Sequence, residues 1–597
     1  MTGPEVAAIS SGAQSSHEPD DPIGRQPAFP THRGLALMGC ATAVIGLEAL
    51  AYLLHGPFEW AAARLWALGG CGFLAVGGLA IARAAAGAIR DRCLTSLVMV
   101  LAVSFAALWG ISGIEHVQLQ HEATQEIADG LDAAQQPGWR YTGIGHLGYP
   151  NRQYLVAAVP SLLLGRNLPA LRLGFALPFL LGAFLFWAGA REAWRGLPGG
   201  EAAAALAALS VPAFPYAIDH LRWYEQTSFP LSATLAAAGW LLIAVRRPSV
   251  LALLGLGWIG ALLGCSYTPG LASAVLLAVA SLWPAARSWR ASERSLALGW
   301  LSAAAITAGV TALSFLTRHD LFKEVANATV KTELAGPLRE AFAIFLFGAP
   351  RLFVPPALFL PIMAVIVLGL AGRLRLPGLA IAWWTIAVIV TATVFTGYSI
   401  RPPSFDMLRA LVVIPPLLLL VGWTGLRVLQ GREPPWTPRT VLATVTVLVL
   451  CQVAWNLAAL DREYRPTLHE VVLADMLEQG RRLGIGSDAA PTVLLLTERG
   501  ELGNPRDYLV YFYPGHRLAR SVEEAAALDP AAGPLFIYAD ADTWTEGSLA
   551  SLDGSPPVVI EYHHPQFPHR MLRWASNPAT AGAARATGPA APRAGGG

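Results

Sequence analysis

Long apolar runs separated by short polar connections fill the first 460 residues of the chain. An apolar run of about 17–25 residues is long enough to cross ~30 Å of hydrocarbon as a helix. Thirteen segments have the composition of such spans: 34–55, 61–82, 93–114, 167–190, 200–218, 228–245, 249–266, 268–286, 296–316, 354–372, 378–398, 408–426 and 440–460. The pattern predicts an α-helical polytopic membrane protein with about 13 transmembrane helices.

Two further apolar segments, 152–165 and 338–352, are short and interrupted by Pro or Gly. Irregular backbone is tolerated at membrane depth only where protein or a water-filled cavity satisfies its polar groups. We therefore predict half-helices or interfacial helices at these two places.

Arginine predicts how the spans are oriented, because basic residues collect in cytoplasmic connections. With the N-terminus inside, every inner connection is basic, and the outer turns 56–60 and 266–268 contain no Lys or Arg. The inner arginines are Arg83, Arg90, Arg92, Arg191, Arg195, Arg246, Arg247, Arg287, Arg290, Arg294, Arg373, Arg375, Arg427, Arg432 and Arg439. The loop 115–150 and everything after residue 461 are then predicted to lie outside.

The pattern changes after the last span. Three short apolar segments are typical of buried strands and two segments of helices. The strands are predicted at Thr492–Thr497, Tyr508–Tyr513 and Pro534–Ala539, and the helices at Leu473–Leu483 and Val522–Leu528. We predict a transmembrane domain at 34–460 and a small extracytoplasmic α/β domain at 461–575. The polar or Ala/Gly/Pro-rich ends, 1–33 on the cytoplasmic side and 576–597, are predicted to be disordered.

Composition agrees with a membrane protein and excludes some functions. Hydrophobic residues make up 54% and charged residues 14% of the chain, whereas soluble domains carry about 25% charged residues. The net charge of +2 gives no general attraction to nucleic acid. The five cysteines lie in or beside apolar spans without the spacing of a disulfide framework or a zinc site.

The loop between the third and fourth spans carries most of the candidate chemistry. Residues 115–150 combine acids, histidines and aromatics between two membrane spans. Other predicted outer loops add charge, including Lys323 and Lys331, the only lysines of the chain. Two interpretations stay open: long outer loops that tolerate charge, or a site for an anionic ligand at the membrane surface.

Three motifs in this region carry a family resemblance. They are His121-Glu122-Ala123 in the loop, Tyr149-Pro150-Asn151-Arg152-Gln153-Tyr154 after it, and Leu163-Leu164-Gly165 through Arg172 at the next span. Their order resembles that in the GT-C superfamily of membrane glycosyltransferases, especially bacterial relatives of protein O-mannosyltransferases and of the lipid A aminoarabinose transferase. Those proteins have an Asp-Glu pair at the first position, a Pro-Pro-Leu-Tyr-like stretch at the second and a Leu-Phe-Gly…Arg run at the third.

The resemblance implies a reaction. A sugar would pass from a polyprenyl-phosphate donor to an unknown glycan, lipid or protein acceptor at the outer face of a bacterial inner membrane, with inversion. A loop carboxylate would act as general base, and cations would stabilise the lipid phosphate that leaves. No cofactor is required, because such cations can stabilise a single phosphate.

The resemblance also implies site residues. The predicted catalytic residues are Glu122, His121 and Glu115. The predicted phosphate-binding residues are Arg222, Lys323, Lys331, Arg401 and Arg409, and the predicted substrate pocket contains His146, Tyr149 and Arg152. The sequence departs from the family where His121 replaces the usual Asp, so the function of general base falls to Glu122 or to another acid such as Glu115.

Other interpretations of the same residues remain open. Glu122, Glu126 and Asp129 share one helix face, which is also typical of a solvated surface helix. A divalent metal at the loop histidines and glutamates is disfavoured, because the spacing of His116 and His121 does not place both on one helix face. A non-catalytic member of the fold is a further alternative.

The last alternative is a transporter or flippase of a lipid-linked glycan. Internal repeats and broken helices near the bilayer midplane are typical of such proteins. The sequence shows no convincing repeat, and its charges are predicted to lie in loops rather than within spans. Both observations favour the transferase.

Overall fold

The computed structural model describes fifteen parts of the chain. They are residues 29–90, 94–112, 121–136, 152–214, 217, 228–266, 268–316, 411–430, 438–463, 492–496, 511–512, 517–519, 535–540, 558–563 and 571–576.

Fourteen α-helices lie within these parts. They are α1 (Thr31–Leu54), α2 (Pro57–Arg90), α3 (Leu94–Ser112), α4 (His121–Gln135), α5 (Gln153–Ala157), α6 (Val159–Leu164), α7 (Leu168–Ala193), α8 (Gly200–Leu209), α9 (Ser228–Arg246), α10 (Val250–Gly264), α11 (Thr268–Arg290), α12 (Arg294–Leu316), α13 (Ile414–Gln430) and α14 (Pro438–Glu463). Short 3₁₀ turns occur at Val211–Ala213 and Leu411–Val413.

The helices confirm the polytopic helical class. A helix lies in eleven of the thirteen predicted spans, and the other two spans, 354–372 and 378–398, lie outside the described residues. Within the described parts, six helices are long and apolar enough to cross a membrane. Leu53, Leu68 and Leu101 are more than 60% exposed on α1, α2 and α3. Large apolar side chains on the surface of such helices are where lipid would contact the protein.

The segment 152–165 forms two short helices, as predicted for a broken segment. Gln153 to Val159, which span α5 and the start of α6, are all buried. A Cβ on Gly174 of α7 would lie 2.3 Å from the carbonyl oxygen of Ala157. The absence of a side chain at Gly174 therefore lets α5 pack directly on α7. The other predicted broken segment, 338–352, lies outside the described residues.

Side-chain contacts relate the directions of some neighbouring helices: α1 and α12 run parallel, as expected for two spans that both start inside, and the end of α7 meets the start of α8. At the predicted inner ends, Ser295 Oγ donates to the carbonyl of Pro30 at 2.7 Å, which joins the starts of α1 and α12. Arg191 at the end of α7 pairs with Glu201 at the start of α8 at 2.9 Å. At the opposite end of α1 and α12, the Tyr52 and Ser314 hydroxyls lie 3.4 Å apart.

The C-terminal region contains a five-stranded sheet. Its strands are β1 (Thr492–Leu496), β2 (Arg517–Ala519), β3 (Leu535–Asp540), β4 (Val558–His563) and β5 (Met571–Ser576), in the order β2-β1-β3-β5-β4. β1 is parallel to both β2 and β3, whereas β5 is antiparallel to β3 and β4.

Two of the three predicted strands form as β1 and β3. The strand predicted at Tyr508–Tyr513 is wrong at its two described residues, because Tyr511 and Phe512 have helical backbone. Both side chains are buried and join the hydrophobic core that contains helices α1, α2 and α4. Their apolar character therefore reflects burial against the helical part and not a place in the sheet. The predicted helices at Leu473–Leu483 and Val522–Leu528 lie outside the described residues, so the complete α/β domain stays a prediction.

Candidate functional site at the predicted outer ends of the helices

Helix α4 is the described part of the polar outer loop. It begins at His121, and its apolar residues Ile127 and Leu131 are fully buried. The acidic side is buried as well, since Glu126 is 2% and Asp132 5% exposed. Of the face interpreted as a solvated surface, Glu126 is buried and Asp129 half-buried, so that interpretation is wrong at Glu126. The protein surrounds most of this helix.

The packing of α4 places it against α5. A Cβ on Gly130 would lie 3.0 Å from the carbonyl oxygen of Tyr154, so the two helix backbones are nearly in contact. On α2, Arg64 Nε donates to the carbonyl of Ala134 at 3.4 Å. These contacts hold the second half of the outer-loop helix against the start of the broken segment that follows the loop.

One end of α4 is fixed by an ion pair. Arg166, in the connection between α6 and α7, donates from Nη2 to Asp132 Oδ1. Gln136 Nε2 donates to the same oxygen at 3.3 Å. Burial raises the pKa of the Asp132 carboxyl, and the adjacent Arg166 guanidinium acts in the opposite direction.

A second polar cluster lies where α1, α10 and α12 end. Arg152 is fully buried, and its Nη2 lies 3.5 Å from Glu48 Oε2 and donates to the Tyr52 hydroxyl at 2.5 Å. Trp66 of α2 donates to Glu48 Oε1 at 2.5 Å. The Arg152 amide donates to the carbonyl of Cys265 at 2.9 Å. The cluster ties the start of α5 to α1, α2 and α10.

Glu48 changes one conclusion of the sequence analysis. It lies inside α1, within the predicted span 34–55, so the charges are not confined to loops. An ionisable residue at such a depth is stable when it has a partner, and Arg152 is that partner. The absence of charge within spans therefore no longer counts against a transporter.

The predicted site residues fall into three groups. His121 and Glu122 form the first turn of α4, and their side chains lie outside the described part of the chain. Arg152 is described, and its side chain contacts Glu48 and Tyr52. The remaining predicted residues, Glu115, His146, Tyr149, Arg222, Lys323, Lys331, Arg401 and Arg409, lie outside the described residues.

Sequence analysis missed three residues that organise this region. Glu48 could have been found, because an acid in an apolar span stands out. Arg166 lies inside the run from Leu163 to Arg172, and only its neighbours in space distinguish it from other arginines. Tyr511 gave no signal, because its partners Ser161 and Asn167 are about 350 residues away in the sequence.

Groups of metal-ligating side chains can be sought only in the described part of the chain. No group of three or more His, Cys, Asp or Glu side chains there could hold a metal ion. The side chains of all four residues considered for a metal, Glu115, His116, His121 and Glu122, lie outside it, so the expectation about a metal stays a prediction.

No protein-family model matches the sequence, and no curated protein matches it. Among solved structures, the chain is similar to ArnT from Cupriavidus metallidurans in the apo state, with 17% identity and a TM-score of 0.46. It is also similar to the same protein bound to undecaprenyl phosphate, with 18% identity and a TM-score of 0.44. Each likeness covers 81% of this chain and 98% of the other.

Proposed function

We propose that this protein is a membrane glycosyltransferase that moves a sugar from a polyprenyl-phosphate donor to an acceptor at the outer face of the membrane. The observation that carries the proposal is the placement of α4. The helix that begins with His121 and Glu122 is packed into the protein, with Glu126 and Asp132 buried. A carboxylate carried on a helix held in this way can be positioned toward a reacting group, which catalysis requires.

The proposed chemistry needs few groups. The acceptor hydroxyl attacks the anomeric carbon, and a new carbon–oxygen bond forms there. The bond from that carbon to the phosphate oxygen breaks, and its electron pair leaves with the polyprenyl phosphate. The Glu122 carboxylate takes the hydroxyl proton as general base. Attack opposite the leaving group inverts the anomeric configuration.

Cationic side chains would stabilise the negative charge that grows on the phosphate. The candidates lie in loops on the predicted outer side or at the adjoining end of a span, and they are Arg222, Lys323, Lys331, Arg401 and Arg409. His146, Tyr149 and Arg152 are proposed pocket residues on the same sequence grounds. Arg152 is buried and contacts Glu48 and Tyr52, which supports a role in fixing the positions of the pocket residues next to it.

Transfer of a radiolabelled sugar from polyprenyl phosphate, measured in membranes that contain the protein, tests the proposal. Glu122→Gln keeps the shape of the side chain and removes its basicity, so we expect transfer to fall about 100-fold or more. Glu293→Gln is the matched control, because Glu293 is exposed beside the start of α12 at the predicted inner end. Undiminished transfer by Glu122→Gln would exclude this carboxylate from the reaction.

A transporter of a lipid-linked glycan is the second candidate. The observation that favours it is the buried ion pair between Glu48, inside α1, and Arg152. Vesicles that contain the protein and a fluorescent polyprenyl-linked sugar distinguish the two functions. Movement of the lipid across the bilayer without sugar transfer would favour transport. Neither movement nor transfer, with any donor, would favour a non-catalytic member of the fold.

A further inference from the structure

Three segments that are distant in the sequence meet at Arg166. They are the outer-loop helix α4, the connection between α6 and α7, and residues 511–512 of the C-terminal region. All three are on the outer side according to the arginine pattern. The contacts between them therefore join the loop that carries the candidate base to the region that follows the last membrane helix.

The connection that carries Arg166 has a defined shape. Gly165 has a φ of 80°, a left-handed conformation that glycine adopts without strain. Asn167 caps α7 by accepting from the amide of Ala170 at 2.8 Å, and its Nδ2 donates to the carbonyl of Leu164 at 2.8 Å. Arg166 thus extends from a backbone that is fixed on both sides.

Tyr511 is inserted into this connection. Its side chain is fully buried, and its hydroxyl donates to the carbonyl of Asn167 at 3.0 Å. Because the tyrosine proton is used in that bond, the Ser161 hydroxyl, 2.7 Å away, donates to the tyrosine oxygen. Phe512 beside it is 3% exposed and contacts the Tyr511 ring edge to face, with 5.0 Å between ring centroids. A buried aromatic pair of this kind is typical of an anchor at an interface.

Arg166 uses its two terminal nitrogens for two different segments. Nη2 binds the Asp132 carboxylate of α4, and Nη1 donates to the Tyr511 carbonyl at 3.4 Å. The Arg166 side chain is 15% and the Asp132 side chain 7% exposed, so water weakens the ion pair less than it would at an open surface. The planar guanidinium can hold both partners at once, which a lysine ammonium does less well.

We propose that Arg166 is a positioning residue that couples the docking of Tyr511 to the placement of α4, and through α4 to the placement of Glu122. Glu122 and Asp132 are ten residues apart on one helix, a distance of about 15 Å along its axis. A helix transmits a displacement at one end to the other because its hydrogen-bonded backbone is stiff. The second half of this inference rests on the proposed function of Glu122, whereas the coupling between Tyr511 and α4 does not.

Hydrogen exchange on the full-length protein in lipid nanodiscs tests the coupling without any assay of activity. Tyr511→Ala removes the anchoring side chain without substituting any residue of α4. We expect the amides of α4 to exchange about tenfold faster in this variant, because a charge-assisted contact that restrains the helix is weakened. Arg166→Gln should have the same effect, and the double variant should exchange no faster than either single variant.

The matched control is Arg247→Gln, which breaks an arginine–glutamate pair of 3.0 Å to Glu192 at the predicted inner end. We expect α4 exchange to be unchanged in it. The amides of α9 provide an internal reference in all variants. Unchanged α4 exchange in Tyr511→Ala, or additive effects in the double variant, would overturn the coupling. Tyr511→Phe and Arg166→Lys, which alter only the hydroxyl or the guanidinium shape, test the same points if the larger substitutions prevent folding.

Transfer kinetics test the positioning of Glu122. A displaced base lowers kcat and leaves the KM for the donor unchanged, so we expect Arg166→Gln to lower kcat about tenfold. Arg166→Lys keeps the charge next to Asp132 and should recover part of that loss. If Arg166 only stabilised the fold, Arg166→Gln would lower the amount of folded protein. The kcat of each folded molecule would then be unchanged, and Arg166→Lys would have no loss of kcat to recover.

The outcomes separate the two proposals. Faster α4 exchange together with no transfer by the unmodified protein would support the coupling and reject the proposed function. Faster α4 exchange with an unchanged kcat in Arg166→Gln would overturn the positioning of Glu122. Faster exchange with a lower kcat and an unchanged KM would support the whole proposal.

Discussion

At the scale of single residues, Glu48 and Arg152 form an ion pair inside the protein. Both side chains are buried, and they lie 3.5 Å apart. Removing one member of such a pair leaves the other charge in a poorly solvating environment, which is far worse than removing both. The pair therefore makes the fold sensitive to single substitutions at either position.

We predict that Arg152→Met destabilises the protein by about 3–5 kcal/mol, because Glu48 loses its ion-pair partner. The double variant Glu48→Gln with Arg152→Met should regain most of that loss, since no charge is left buried. The measurement is the thermal unfolding midpoint of the detergent-purified protein.

Arg195→Met is the control for this prediction. Arg195 is 69% exposed and lies 3.9 Å from Glu192, so its removal should change the midpoint very little. A double variant that is less stable than Arg152→Met alone would show that Glu48 and Arg152 contribute through packing and not through their charges.

At the scale of elements, glycines determine how closely α7 and α9 approach. A Cβ on Gly189 would lie 2.2 Å from the carbonyl oxygen of Gly239, and a Cβ on Gly239 would lie 2.1 Å from that of Leu185. Small residues at a crossing allow membrane helices to approach closely, and van der Waals contact between the backbones then stabilises the pair.

We predict that Gly189→Ala destabilises the protein by about 1–3 kcal/mol, because the added methyl group separates the two helices. Gly39→Ala in α1 is the control, since nothing lies within 4 Å of a Cβ placed there. It should leave the unfolding midpoint unchanged or raise it slightly, because alanine favours helix. Equal unfolding midpoints for the two variants would show that α7 and α9 can move apart without a loss of stability.

Local sequence predicted most elements and little of their pairing. Apolar length predicted eleven spans that form helices, and β-rich apolar runs predicted β1 and β3. The acidic face of α4 was ambiguous, because periodicity shows which residues share a face and not what covers it. Asp132 meets Arg166 and Tyr511 meets Ser161 only after folding, so their burial could not be predicted from the sequence alone.

The candidate site was predictable to a similar extent. The motif order led to the helix that begins at His121, and Glu122 lies in its first turn. The arginine that holds this helix, Arg166, lies inside the run from Leu163 to Arg172 but has no distinguishing neighbour in the sequence. Charge alone did not separate it from the other arginines of the chain.

At the scale of the whole molecule, orientation decides whether the proposed reaction can occur. The basic connections that end α7 and α9 and begin α8 contact one another through Arg191 with Glu201 and Arg247 with Glu192. Arg246 adds a hydrogen bond of 2.8 Å to the carbonyl of Ala193. These ends lie together, and the positive-inside rule predicts that they face the cytoplasm. Helix α4, the Asp132–Arg166 pair and Tyr511 then belong to the opposite side.

We predict that alkaline phosphatase fused after residue 597 is active, whereas green fluorescent protein fused there is dark, because phosphatase folds only outside the cytoplasm. Fused before residue 1, the phosphatase should be inactive and the green fluorescent protein should fluoresce. A second phosphatase fusion after residue 136, just past α4, should be active as well. A phosphatase that is active after residue 136 but inactive after residue 597 would mean an even number of spans. Tyr511 could then not reach Arg166 from the same side, and the coupling between them would fail together with the predicted topology.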